Sequence, residues 1–266
     1  MTAATGSVET GKIDIGRIIG DTFKVIGHNF PVFFVLSLVL TGLPSGAFSF
    51  LFTESGAMAE TVGVEYFLWV LLLVLLYVAA SAILQGALIY ATIQDMNGVK
   101  PGLGETLATG LRAFLPLIGV SLLLLLAIMG GLILLIVPGI MMAVAWCVCA
   151  PALVAEHTGV MGAFRRSAAL TRGNRWRIFG LVVFAWLAYM IFSTVLGVVA
   201  SASLLVSGES AAALQTGGGG PLALVINILA QTLMSMVGAA GVAVLYVELR
   251  RVGDGLGPQA LSEVFA

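Results

Sequence analysis

The sequence predicts an all-α integral membrane protein with six transmembrane helices arranged as three hairpins. Amphipathic in-plane helices are expected on its cytoplasmic face. Three observations lead there. Of 266 residues, 60% are apolar and 9% charged, where a typical soluble domain is about 25% charged; mean hydropathy is +1.11. Six apolar segments are long enough to cross ~30 Å of hydrocarbon. The 12 Lys and Arg fall only in alternate intervals between those segments. Together these predict a single membrane domain over 1–266.

Residues 1–30 form the first unit. Ile15, Ile19, Phe23 and Ile26 recur at helical spacing, with Arg17, Asp21 and Lys24 on the polar side, so this stretch reads as an amphipathic helix on the membrane surface. Glu9, Lys12, Asp14, Arg17, Asp21 and Lys24 interrupt any apolar core of the kind a cleavable signal needs. The first span, 31–52, should therefore act as an uncleaved anchor, followed by a second over 66–93.

The stripe returns 88 positions later as Leu103, Leu107, Leu111 and Phe114, with Glu105, Thr109 and Arg112 as its polar partners. Spans over 115–137 and 139–155 follow, divided by "IVPGI" at 136–140, because Pro-Gly is a strong turn signal. Cys147 and Cys149 lie within the fourth span, too close in sequence for an ordinary disulfide. Two thiols make a poor metal site.

The third unit opens with "MGAFRRSAALTRGNRWRIFG" at 161–180, which contains Arg165, Arg166, Arg172, Arg175 and Arg177. Val160, Phe164, Ala168 and Thr171 share one helical face, and Trp176 stands where an interfacial anchor is expected. Topology alone accounts for such a run, since each Arg costs ~2.5–3.5 kcal/mol at a helix centre. The sharper reading is contact with anionic headgroups, worth ~1 kcal/mol per basic residue near a negative leaflet. With no separate basic domain, nucleic acid is not an expected partner. Spans over 178–206 and 221–248 follow, then a tail over 249–266. Amphipathic helix plus hairpin, three times over, suggests an ancestral triplication.

The remaining loops hold Glu54, Glu60, Glu65 and Glu209 and no basic residue. The positive-inside rule then places both termini in the cytoplasm, and for a bacterial chain the membrane is the inner one. Glu156 and Glu248, at the cytoplasmic ends of spans four and six, are positioned to pair with Arg165, Arg250 or Arg251 as collars at the helix ends. The run "TGGGGP" at 216–221 reads as flexible spacer.

Polar residues within the spans are few: Ser81 and Gln85, Ser193 and Thr194, Asn227 and Gln231. Gln85, Asn227 and Gln231 are candidates for interhelical packing or for lining an intramembrane polar path. No charged residue lies at the depth of a helix centre, which argues against ion pumps and proton-coupled carriers. His28 and His157 are the only histidines, and no zinc motif, nucleophile elbow, Walker loop or dinucleotide fingerprint is present. No catalytic residue, metal site or cofactor is expected.

One stretch carries a resemblance. "CAPALVAEHTGVMGAFRRSAALTRGNRWRIFGL", with the opening "IDIGRIIGDTFKVIGHNF" and the ending "AVLYVELRRVGDGLGPQALSEVF", resembles bacterial multi-pass proteins related to the membrane domain of some glycerophosphoryl diester phosphodiesterases and to YciC-type inner-membrane proteins. The resemblance implies a six-helix membrane domain. It carries no phosphodiesterase activity to this chain, which lacks the catalytic domain. The function expected is non-enzymatic: a basic face formed by Arg165, Arg166, Arg172, Arg175, Arg177 and Trp176 that engages anionic lipid or a partner protein, as a scaffold or accessory subunit. A partner protein or a second copy of the chain would fit that role. The alternative is a transporter or flippase for a lipid-like or neutral solute, using Gln85, Asn227 and Gln231.

Overall fold

The computed structural model describes residues 12–56, 63–207 and 221–254. Every regular element among the described residues is helical, and six helical segments are long and apolar enough to cross a bilayer: Phe30–Ser49, Val64–Met96, Leu103–Ile133, Ile136–Glu156, Arg175–Val199 and Leu222–Gly253. The protein is a multi-pass integral membrane protein. Glu60, Glu209, the glycines at 217–220 and the side chain of Glu54 lie outside the described residues.

Helix α1 (Ile15–His28) begins at Asp14, whose carboxylate accepts a hydrogen bond from the Arg17 amide at 3.2 Å, satisfying one of the free first-turn donors. It ends at Asn29, and Pro31 pre-sets the first turn of α2 (Phe30–Ser37). A π-helical turn at Leu38–Gly42 joins α2 to α3 (Leu43–Gly56), completing span one. The other helices are α4 (Val64–Met96), α5 (Leu103–Leu134), α6 (Ile136–Ala145), α7 (Cys149–Glu156), α8 (Gly159–Leu170), α9 (Arg175–Ser207) and α10 (Pro221–Gly253). Helix α10 is the hub, packing on α1, α2, α3, α4, α7, α8 and α9.

Four boundaries depart from the sequence expectation. The amphipathic stretch 103–114 is not a separate helix but the first turns of α5, which continues through Pro116 without a break. After α8, by contrast, Gly173 turns with φ 87°. The turn of the second hairpin, between spans three and four, that Pro138-Gly139 was expected to make falls earlier, at Leu135 (φ −164°, ψ 142°). Pro138 sits within the first turn of α6, where its missing N–H costs nothing. Gly139 serves instead for close packing: a Cβ on Gly131 would stand 2.9 Å from the Gly139 Cα. Finally, α10 runs to Gly253 rather than ending at 248, and residues 255–266 of the expected tail lie outside the described residues.

The fourth departure is a break inside span four, between α6 and α7. The Cys149 amide bonds to the Trp146 carbonyl, which leaves the Ala145 carbonyl without its usual helical donor. Ser167 of α8 and Thr171 at its C-terminal end donate to it, at 2.9 and 3.3 Å. Within a bilayer such a carbonyl must find a partner in the protein, and α8 with its C-cap residue supplies two. The edge-on contact of Trp146 with Phe164, 5.2 Å between ring centres, seals the same seam.

The packing faces of α1 and α8 are also offset from the stripes expected. The buried residues are Ile18, Thr22, Val25 and Ile26 on α1, and Ala163, Ser167 and Leu170 on α8. Phe23 is 60% exposed. Small residues let helix backbones approach closely; Thr22, Ala163 and Ser167 sit at these contacts among the larger Ile18, Val25, Ile26 and Leu170, with Phe164 half-buried beside them.

Burial is concentrated at the end of the bundle where the basic residues lie. One core cluster joins Ile13, Ile89, Leu117, Val148, Ala163, Ile178 and Tyr246, and a second joins Val25, Phe33, Leu88 and Met236. The opposite halves of α4 and α5, and most of α9, expose Leu, Val, Phe and Trp side chains, as suits surfaces whose solvent is lipid.

Candidate functional site: the basic face and an intramembrane cleft

The five arginines of 165–177 do not form one patch. Arg166 is committed to the fold. Its Nε donates to Glu156 Oε1 at 2.7 Å, and its Nη1 donates to Asp254 Oδ1 at 3.2 Å, with Nη2 bound to Asp254 Oδ2. Tyr246 Oη donates to the same Glu156 oxygen at 2.7 Å. The Asp254 bonds, ahead of those to Glu156, raise the Arg166 pKa above the ordinary arginine value against the opposing pull of burial. This cluster ties α7, α8 and α10 together. Glu156 thus pairs with Arg166 rather than with Arg165.

Arg177 Nη1 donates to the Ile13 carbonyl at 2.9 Å, and the Ile13 amide bonds Asn174 Oδ1 at 3.4 Å. These contacts clamp the segment before α1, where Ile13 is buried. Arg175 Nε is buried with no hydrogen-bond partner among the described residues. Arg165 and Arg172 are exposed and pair with no carboxylate among the described residues. Trp176 is 86% exposed and makes an edge contact with Phe179.

Other ties run between helices at this end. Glu248, expected to form a collar, lies 3.6 Å from Arg17 and 3.9 Å from Arg251. Asp95 Oδ2 is 3.5 Å from His28 Nδ1. Tyr90 donates to Glu105 at 2.5 Å and accepts from Gln94 at 2.8 Å.

Between α4, α5, α7 and α10 lies a cavity of about 520 Å³. Arg112 and Arg250 line it from different helices, with Asn97, Thr109 and His157; Ile93, Pro116 and Leu153 supply apolar wall. Arg250 Nε is 3.5 Å from Asp254, whereas Arg112 has no ion-pair partner among the described residues. His157 closes α7 in a left-handed conformation, φ 50°, at the turn that brings α8 back over this end. Sequence reasoning missed this site: its two arginines lie 138 positions apart, and they meet only because α5 and α10 both pack against α4 and α7. The one signal was Arg112 on the polar side of the stripe at 103–114.

A second cavity, about 790 Å³, lies within the spans. Gln85 and Gln231 both line it, with Thr41, Tyr77, Ser81, Ser121 and Ser235 among apolar residues. Asn227, one helical turn from Gln231, does not line this cavity. Among the described residues, no group of three His, Cys, Asp or Glu is placed to hold a metal ion, and Cys147 and Cys149 are free thiols.

The profile of a domain of unknown function, DUF7847, matches residues 62–249. The chain belongs to the DUF7847 family. No curated protein and no solved structure matches it. The family segment runs from the start of α4 to Leu249 of α10, so it includes Glu156, Arg166 and Tyr246. It leaves out α1, Arg250 and Asp254, and so contains one of the two arginines of the 520 Å³ cavity. The likeness to phosphodiesterase-linked membrane domains stands beside this membership as a resemblance.

Proposed function

We propose that this DUF7847 protein is a non-enzymatic component of the bacterial inner membrane whose basic face, turned to the cytoplasm, holds an anionic lipid headgroup. The observation that carries this reading is the cavity where Arg112 and Arg250 meet beside Asn97, Thr109 and His157. Two guanidiniums with neutral donors above an apolar wall suit a phosphodiester attached to acyl chains. Exposed Arg165, Arg172 and Trp176 extend the same face and favour a membrane with anionic lipids. In this reading the protein serves as a lipid-anchored scaffold or accessory subunit.

Native mass spectrometry after gentle extraction tests it. Wild type is expected to retain an anionic glycerophospholipid, and the Arg112→Gln/Arg250→Gln variant to lose it by about tenfold or more, at ~1 kcal/mol per basic residue. An Arg165→Gln/Arg172→Gln variant is expected to keep it. Loss confined to the second variant would move the site to α8. A wild-type protein free of lipid would overturn the reading, and a stoichiometric second protein in its place would make the face a protein interface.

The cleft containing Gln85 and Gln231 favours a second reading, passage of a lipid-like or neutral solute between the spans.

A further inference from the structure

The 790 Å³ cavity is lined by four spans, with Thr41 from span one and longer stretches from α4, α5 and α10. From α10 it takes Gln231, Met234, Ser235, Gly238, Ala239 and Val242, a stripe at helical spacing about 16 Å long. Its mouth is framed by Val78, Leu122 and Leu125, which are 40%, 55% and 54% exposed, whereas Ala82 and Leu84 on its inner side are buried. The cleft is therefore open sideways, toward lipid.

Its polar groups divide into two kinds. The hydroxyls mostly satisfy themselves: Ser81 donates to the Val78 carbonyl, Ser235 to the Thr232 carbonyl, and Thr41 to the Ser37 carbonyl and Ser235 Oγ. The carboxamides of Gln85 and Gln231 have no hydrogen-bond partner among the described residues. In hydrocarbon an amide without a partner is costly, so whatever fills the cleft is selected for an ability to donate or accept. No charged residue lines it, which disfavours an ionic group at this depth.

We infer that the cleft binds one neutral membrane lipid, an apolar chain bearing an uncharged hydrogen-bonding group such as an ester or hydroxyl, with Gln85 and Gln231 holding that group. The volume is within the range of about 300–1,000 Å³ usual for small-molecule sites. A packed helix of the same length, about 10 Å across, would need roughly 1,300 Å³. The inference is independent of the headgroup site, which uses none of these residues.

Gly238 offers a clean test, because a Cβ there would meet nothing within 4 Å. Gly238→Leu fills the cleft and favours the helix. The full chain is placed in phosphatidylcholine nanodiscs containing a diazirine-bearing diacylglycerol, photolysed, and mapped by peptide mass spectrometry. Labelling is expected to concentrate on 77–85, 118–125 and 231–242, above that on the lipid-facing stretch 182–199. Gly238→Leu should reduce it there about tenfold, and so should Gln85→Leu/Gln231→Leu, which keeps the shape but removes two hydrogen bonds. The paired variant also decides the matter should Gly238→Leu fail to fold. Labelling of the cleft no greater than that of 182–199, or unchanged in both variants, would overturn the inference. So would conversion of a dimer to a monomer by Gly238→Leu, which would make a second copy the occupant.

Discussion

At the scale of single residues, Arg165 and Arg166 show how adjacent identical side chains take different work. Neighbours on a helix point about 100° apart, so Arg166 faces α7 and α10 while Arg165 faces away. Removing Arg166 leaves Glu156 with only the Tyr246 hydroxyl and Asp254 with only the longer Arg250 contact, although their side chains are just 19% and 27% exposed. Arg166→Gln is expected to destabilise by about 1–3 kcal/mol, the cost of leaving charged partners unsatisfied, whereas Arg165→Gln should stay within about 0.5 kcal/mol. Thermal unfolding in detergent checks this: the Arg166 variant should melt several degrees lower, at about 2–4 °C per kcal/mol for a chain of this size. Equal melting of the two variants would show that the Glu156–Arg166–Asp254 cluster contributes nothing to stability. The sequence could mark the run as basic, but it could not say which arginine is spent internally. Asp254 and Ile13, the partners that decide this, are 88 and 164 positions away from the arginines they hold.

At the scale of elements, the six spans were legible because hydrocarbon thickness sets a length and turn residues set its limits. What was illegible depends on contacts between elements. The break in span four comes just before Pro151, which cannot bond the Cys147 carbonyl, and is stabilised by Ser167 of α8 and Thr171 at its end. On α1 the buried face, Ile18, Thr22, Val25 and Ile26, is offset from the expected stripe, and on α8 the packing prefers the small Ala163 and Ser167 at the closest approach. The same preference brings α4 against α5. A Cβ on Gly110 would lie 2.4 Å from the Ile83 carbonyl and 3.0 Å from the Ala87 Cβ, and backbone atoms cannot yield as a flexible side chain would. Although alanine favours helix by ~1 kcal/mol, Gly110→Ala is therefore expected to destabilise by about 1–3 kcal/mol, as overpacking does. Because α4 and α5 both line the 520 Å³ cavity, the variant should also weaken lipid retention. A melting temperature at or above wild type would show that the helices separate without cost. Of the proposed sites, the sequence indicated Gln85 and Gln231 through their isolation among apolar residues. It grouped Asn227 with them as another polar residue within the spans, and that residue does not line the cleft.

At the scale of the whole molecule, charge asymmetry and packing agree. All 12 basic residues lie among the described positions, and the ion pairs Arg17–Glu248, Arg166–Glu156 and Arg166–Asp254 join helices at the end where burial is greatest. That end has reason to face the cytoplasm. Sending it across would carry the five arginines of 165–177 through the bilayer, each at ~2.5–3.5 kcal/mol on insertion scales, and would break the ties that close the bundle. Reporter fusions test the orientation directly. Green fluorescent protein joined after Ala266 should fluoresce and alkaline phosphatase there should be inactive, while phosphatase inserted after Ala59 or Ser210 should be active. The opposite pattern would turn the basic face outward, removing the anionic inner leaflet as its partner. It would leave the cleft unaffected, since Gln85, Gln231 and Gly238 lie within the spans and meet lipid in either orientation. Orientation therefore separates the two proposed sites: the headgroup cavity depends on which leaflet it meets, and the cleft depends only on being in a membrane.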